Sequence, residues 1–370
     1  MKIAVVRGPS LNLWEMQNYF PLAKKHELLL IGSTKGHYGW SSEILTKKLL
    51  CPGEICSFIP GGITFLYQRF GDPQILFGLE KAIKNFDIIH TAETSNYYSY
   101  QALKARRKGL CGKLVVTCWE NIPGLHEDHL AQKRIKSEVI GGADHFLAVT
   151  NQVKEALLTD GAPEEKITVI PMGVDLDKFR IKNKKNFEIL FVGRLVEEKG
   201  VWELLKAFRM VAEQLAGFDL RLRMVGSGPL RGDLIKRAQE WGIREKLTIE
   251  DKIYSEMPKV YQEVDLFVLP SIFKKDWQEQ FGMVLVEAMA CGVPVIATRS
   301  GATAEVMDEA GVLVTPGNAS ELSETIMKFL KDEKLRNDLS VKGRRRAEAE
   351  YDCQKVALKI EKLYREVIGG

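Results

Sequence analysis

The chain has 370 residues, 45% of them apolar and 28% charged, with a formal net charge of +4. That length exceeds what one hydrophobic core usually supports and predicts two domains, and the composition is that of an ordinary soluble globular protein. The small charge excess gives no electrostatic footprint for nucleic acid, and no apolar run approaches the roughly 18 residues of a membrane span.

The opening MKIAVVRGPS is too soon broken for a secretion signal and reads as a first strand over 2–6. Further β-branched runs follow at 87–90, 113–117, 145–149 and 167–170, with amphipathic stretches 73–84, 95–108 and 151–159 between them. A polar, lysine- and asparagine-rich segment, Asp177 to Asn186, interrupts the pattern. It restarts with strands at 187–192, 220–225, 246–250, 265–269, 294–298 and 311–314, each followed by a helical segment. Apolar strands joined by helices are the signature of parallel sheets covered on both faces. The expected architecture is therefore α/β, with one doubly wound domain over 1–178 and another over 179–350. A last helix, Tyr351 to Val367 within 351–370, either caps the second domain or crosses back to the first. Ligands of such sheets bind at the carboxyl ends of the strands, which points to a cleft between the domains. The six cysteines are scattered, and Cys51-x4-Cys56 lacks the second pair that zinc needs. Reduced thiols and a cytoplasmic location are expected.

Three segments carry chemistry. FVGRLVEEKGV (191–201) is a strand, a glycine turn and a helix start near Gly200, with Arg194 and Lys199 ahead of the helix. Two cations beside exposed amides suit a diphosphate, and a loop of solvated charges is the alternative. VGSGPL (225–230) is a second glycine turn; it misses the dinucleotide fingerprint and disfavours a nicotinamide cofactor. In the third segment, Glu279 and Glu287 stand eight positions apart. A helix is expected to start near Met283 and stop at Gly292, with Pro294 beyond. Glu287 is the sole charge on that apolar helix, where either a ligand or a buried ion pair must satisfy it. Glu279 lies in the loop before it, beside the amides of Phe281, Gly282 and Met283.

Together FVGRLVEEKG, VGSGP, DLFVLPS, EQFGMVLVEAMACGVPVI and VIPMGVDLDKF (169–179) resemble the retaining family 4 glycosyltransferases of the GT-B fold, over nearly the whole chain and most densely from Ala143 to Pro316. The resemblance implies two Rossmann-like domains, a nucleoside diphosphate sugar as donor, a glycosyl acceptor, hexosyltransferase-type chemistry and no metal or other cofactor. It assigns Arg194 and Lys199 to the donor diphosphate and Glu287 to the ribose. Glu279 falls beside the transferred sugar, with the amides of Phe281, Gly282 and Met283 contacting sugar and phosphate. Gly8 falls in the loop that closes over the donor phosphate, and the last helix matches one that returns to the N-terminal domain. Catalysis is thus expected to involve Glu279, Arg194 and Lys199. A nucleotide-sugar 2-epimerase of the same fold and a catalytically silent nucleotide-sugar binder are the rivals.

The N-terminal half departs from the family. Its Thr-x-His reads Thr117-Cys118-Trp119 here, so Trp119 stands in the place of the histidine, followed by Glu120 and Asn121. These three, with His90 and Glu93 at the end of another strand, are candidates for contact with sugar or acceptor. A packed tryptophan and a strand-end histidine bonded to backbone are the plain alternatives. Asn12 and Glu15 could also reach an acceptor. Basic clusters at Lys24-Lys25, Lys47-Lys48, 106–108 and 133–136 raise peripheral membrane contact, against solvated helix faces as the simpler reading.

Overall fold

Each apolar run read from the sequence becomes a strand in the computed structural model, which describes residues 1–37, 42–181, 187–215 and 217–370. The first half holds β1 (Lys2–Gly8), β2 (Glu27–Ser33), β3 (Thr46–Leu49), β4 (Ile88–Ala92), β5 (Lys113–Cys118), β6 (His145–Ala148) and β7 (Ile167–Val169), of which β2 and β3 were not among the runs read from the sequence. They form one parallel sheet in the order β3-β2-β1-β4-β5-β6-β7. The second half gives β8 (Glu188–Val192), β9 (Arg221–Val225), β10 (Leu247–Glu250), β11 (Leu266–Leu269), β12 (Val295–Thr298) and β13 (Val312–Val314), parallel and ordered β10-β9-β8-β11-β12-β13. Both sheets are doubly wound. In each, the strand order reverses beside the first strand, between β1 and β4 and between β8 and β11. The carboxyl ends at such a reversal are where these sheets bind ligands.

The chain divides into two units, Met1–Met172 with Gln354–Gly370, and Gly173–Cys353. The change of unit follows Met172 rather than Lys178, because Val174 and Phe179 are already buried in the second unit. The Val174 N–H donates to the Tyr351 carbonyl (2.8 Å), and the Phe179 ring packs 6.0 Å from that of Tyr261. Residues 182–186 of the polar segment lie outside the described residues. The last helix runs Cys353–Gly369 and belongs to the first unit, where Tyr364 is fully buried.

One expected helix is cut short. Of 73–84 only Leu79–Ala82 is helical, since Pro73 and the left-handed Gly78 break the segment. Two basic clusters turn out to be largely paired. Arg106 meets Asp144, Arg107 meets Glu138 and Lys108 meets Glu80, while buried Lys136 sits 2.6 Å from Asp160. Among the described residues no helix is long and apolar enough to cross a membrane.

Candidate active site

The loops after β8 and β11 flank the reversal of the second sheet, and they carry Lys199 and Glu279. Between them the backbone approach is close. Gly200 is left-handed (φ +65°), and a Cβ there would stand 1.8 Å from the Pro270 carbonyl oxygen. Only glycine lets the turn Glu197–Lys199 settle against the end of β11. The Ile272 N–H then donates to the Glu198 carbonyl at 2.9 Å. This docking aims Lys199 across the reversal, where its Nζ lies 2.7 Å from Glu279 Oε2.

Glu279 is buried and also accepts from the Ser271 hydroxyl at 2.9 Å. Its backbone is held by Gly301, left-handed at φ +53°, whose added Cβ would fall 2.0 Å from the Glu279 carbonyl oxygen, and by the Ala302 N–H donating to that oxygen (2.9 Å). On the other side of Lys199, its ammonium stands 4.9 Å from the centre of the Trp277 ring. Lys274 Nζ, 3.0 Å from Glu197 Oε2, ties this loop to the turn before Gly200. Arg194 is different: its side chain is well exposed and pairs with Glu198 at 3.2 Å. The two cations therefore occupy one turn in unlike settings, one turned inward onto Glu279 and one paired with Glu198 at the surface.

The helix after Glu279 runs Met283–Ala290, starting where the apolar pattern places it. Gly282 is its left-handed N-cap, and the buried Phe281 ring meets Tyr351 edge-on at 5.9 Å. Glu287 lies on this helix, buried, and its Oε2 accepts from the Tyr261 hydroxyl at 2.8 Å. That partner is a phenol rather than a cation. Burial pushes the Glu287 carboxyl up to about 7, although hydrogen bonds from Tyr261 and Tyr254 oppose the rise. The VGSGP turn has a packing role: the Leu195 N–H donates to the Ser227 carbonyl (2.8 Å) and the Gly193 N–H to the Val225 carbonyl (3.0 Å).

In the first unit the sequence-read residues separate. Gly8 ends β1 with φ +53°, beside the Tyr98 ring. His90 is fully buried; Nδ1 meets the Tyr364 hydroxyl and Nε2 the Thr117 hydroxyl (2.6 Å). Burial, then the Arg7 charge, lowers its pKa well below the usual imidazole value. It is a core histidine, bonded to side chains rather than backbone, and reaches no surface that a sugar could touch. Asn12 and Glu15 also turn inward: Asn12 caps the short helix Leu13–Met16, and Glu15 holds buried Arg7 at 2.6 Å. Trp119, Glu120 and Asn121 do stay together after β5. The Trp119 N–H donates to Glu93 Oε1 (2.8 Å), and Glu120 Oε1 takes His126 Nε2 (3.0 Å) and the Ser95 hydroxyl (3.1 Å). Asn121 is buried, its Nδ2 3.4 Å from Gln152 Oε1. Glu93, left-handed at φ +59°, ends β4 next to the reversal, and burial followed by the Glu120 charge raises its pKa well above the carboxylate range.

Sequence reasoning passed over Ser271, Tyr261 and Trp277, which organise the two glutamates. Ser271 was the most legible, one residue beyond the apolar run 265–269 and the last residue of DLFVLPS. Among the described residues, no group of three or more His, Cys, Asp and Glu could hold a metal ion.

The model of the glycosyl transferases group 1 family matches residues 175–346, and that of glycosyltransferase family 4 matches 50–178. A D-inositol 3-phosphate glycosyltransferase of Catenulispora acidiphila is 30% identical over 321 residues, 76% of this chain and 74% of that protein. The capsular polysaccharide biosynthesis glycosyltransferase CapM of Staphylococcus aureus is 29% identical over 240 residues, 60% of this chain and 61% of CapM. The chain thus spans about three fifths of the length of CapM and of similar relatives. Among solved structures, Anabaena HepE in complex with UDP superposes with a TM-score of 0.75 at 19% identity, covering 99% of this chain and all of that one. The sucrose-phosphate synthase of Thermosynechococcus elongatus gives 0.72 at 18% identity over the whole of both chains. At such identities the likeness is one of fold, and the fold is GT-B.

Proposed function

The chain belongs to the group 1, family 4 glycosyltransferases, and from that premise we propose that it transfers a sugar from a nucleoside diphosphate sugar to an acceptor hydroxyl, with retention of configuration and without a metal ion. The observation that carries this reading is the meeting of Lys199, Ser271 and Glu279 at the strand reversal of the second unit. Breaking the anomeric C–O bond leaves negative charge on the diphosphate and positive charge on the sugar ring. Lys199 and Arg194 meet the first charge, with the amides that open Met283–Ala290 beside them. Glu279 faces the second, and Lys199 pairs with it until the donor diphosphate competes for the ammonium. Glu287 holds the ribose through the oxygen opposite Tyr261.

No nucleophile is assigned to Glu279. The acceptor oxygen bonds to the anomeric carbon on the face the phosphate leaves, and its proton passes to the departing phosphate oxygen. The charge that a divalent ion would otherwise neutralise falls to Lys199, Arg194 and the helix amides.

The test is a thermal-shift panel of UDP, GDP, ADP and dTDP, followed by their sugars, on wild type and on Lys199→Ala and Glu279→Ala. A cognate nucleotide stabilises by RT ln(1 + [L]/Kd), about 3 kcal/mol at a hundredfold excess over Kd. Donor hydrolysis by wild type and not by either variant supports the enzyme. Tight nucleotide binding with no turnover of any donor would leave a silent binder instead.

A further inference from the structure

Between Ser271 and Glu279 the loop after β11 folds back on itself. The Lys274 N–H donates to the Trp277 carbonyl at 2.9 Å and the Trp277 N–H to the Lys274 carbonyl at 3.2 Å, a two-residue hairpin that turns at exposed Lys275 and Asp276. Its base is tied twice to the turn Glu197–Lys199, by the Ile272 N–H on the Glu198 carbonyl (2.9 Å) and by Lys274 Nζ on Glu197 Oε2 (3.0 Å). Across that tie Trp277 reaches Lys199. Every residue of this arrangement belongs to the second unit.

Core packing does not account for the ring. Trp202 and Trp241 pack against the main apolar cluster of this unit, and Trp277 is not among the described residues that do. It is half-buried, and what it covers is the Lys199 ammonium, 4.9 Å from the ring centre. The cations on Trp241 are in a different setting. Arg209 and Arg237 lie 5.1 and 5.6 Å from the centre of that ring, but their side chains are 40% and 50% exposed and keep much of their water. The Lys199 side chain is 15% exposed.

An ammonium so enclosed has given up most of its hydration, and among the described residues its one hydrogen-bond acceptor is Glu279. The indole face returns part of what was lost, because the ring quadrupole is negative where the ammonium sits. It does so without carrying charge. A second carboxylate in that place would compete with an incoming phosphate for the same cation, whereas an aromatic face supports the charge and leaves it whole. The ring also narrows the rotamers open to a long, flexible side chain, which lowers the cost of ordering it when a ligand binds.

We propose that Trp277 is a positioning residue of the donor site and acts through Lys199: it holds the ammonium beside Glu279 and keeps its charge available to a diphosphate. The inference rests on the reading that Lys199 receives the diphosphate of a nucleotide sugar. It adds to that reading a side chain from the middle of the loop, outside the strand ends and helix start that carry the rest of the site.

The test is calorimetric titration of UDP, GDP, ADP and dTDP into wild type, Trp277→Phe, Trp277→Leu, Lys199→Ala and the double variant Trp277→Leu with Lys199→Ala. For the diphosphate that wild type binds, Trp277→Leu is expected to weaken affinity about tenfold, and Trp277→Phe, which keeps an aromatic face, about threefold. In Lys199→Ala the change Trp277→Leu is expected to weaken binding no further. Melting temperatures of the same proteins without ligand close a second cycle, in which Trp277→Leu lowers Tm by about 4 °C more in the wild-type background than in Lys199→Ala. The affinity cycle decides where Lys199→Ala still binds nucleotide, and the Tm cycle decides where it does not. Wild-type affinity in Trp277→Leu, or equal losses in both backgrounds, overturns the proposal, since a ring that shaped the site by packing alone would act whether or not Lys199 is present. Nucleotide binding with neither cycle coupled overturns the positioning role alone. Coupling in Tm with none of the four diphosphates bound by wild type leaves Trp277 as the support of Lys199 and removes the transfer reading.

Discussion

Replacing Glu287 by glutamine tests the second unit's site through stability as well as binding. In the folded chain the Glu287 carboxyl titrates near 7, whereas a free glutamate titrates near 4.5. Between these values the folded state holds a proton that the unfolded state has lost, so stability falls as pH rises through the window and levels off above about 7. At 1.36 kcal/mol per pH unit the full loss is about 3 kcal/mol. Glutamine keeps the shape and an oxygen for the Tyr261 hydroxyl, and it never ionises. At pH 5 Glu287→Gln should melt with the wild type, and at pH 8.5 it should melt higher. For a unit of about 180 residues the gain is on the order of 8 °C. Thermal unfolding of both proteins from pH 4.5 to 8.5 measures it. Parallel curves, or a variant that melts lower at pH 8.5, would refute the argument that burial dominates at this position. The same variant should lose nucleotide affinity if Glu287 holds the ribose, giving a protein that is more stable and less able to bind.

The Lys199–Glu279 pair predicts strong non-additivity: Lys199→Met alone costs about 3 kcal/mol by stranding a buried carboxylate, while Lys199→Met with Glu279→Leu recovers most of it. A denaturant-based double-mutant cycle reads this, and additive losses would show the pair to be solvent-screened. Gly200→Ala should cost more than about 4 kcal/mol, because its Cβ would overlap the Pro270 oxygen in a backbone conformation alanine resists. A soluble variant with wild-type melting would mean that the turn can withdraw from β11. Exhaustive dialysis against EDTA should leave sugar transfer unchanged, and a loss restored by magnesium would refute the metal-free reading.

The strands were legible because each core strand is a short, nearly unbroken apolar run that only a sheet covered on both faces accommodates. Two strands went unread: β2, an apolar run that was not singled out, and β3. β3 is Thr46-Lys47-Lys48-Leu49, an edge strand whose lysines face solvent, so burial leaves no pattern to read. The helix Met283–Ala290 and its two glutamates were readable from local apolar composition and a stop at Gly292. What holds each carboxylate was not. Lys199 lies eighty positions from Glu279, and no local pattern encodes a pairing that depends on Gly200 meeting Pro270. His90 shows the converse error. A histidine at the carboxyl end of a strand invites a functional reading, and the residue that draws it into the core is Tyr364, at the far end of the chain.

That distant tyrosine also orders the history of the molecule. The second unit is a continuous piece of chain whose ends lie side by side, Val174 paired with Asp352 and the Cys353 N–H donating to the Val174 carbonyl. It is an insertion in the first unit, complete as soon as its own residues have left the ribosome. The first unit is begun earlier and finished later. Its sheet can assemble during synthesis, but until the final helix arrives His90 has no Tyr364 and Glu361 has not yet come to His26 and Lys25. A chain cut between Cys353 and Tyr364 would thus have one unit finished and the other still open along the face that the helix covers.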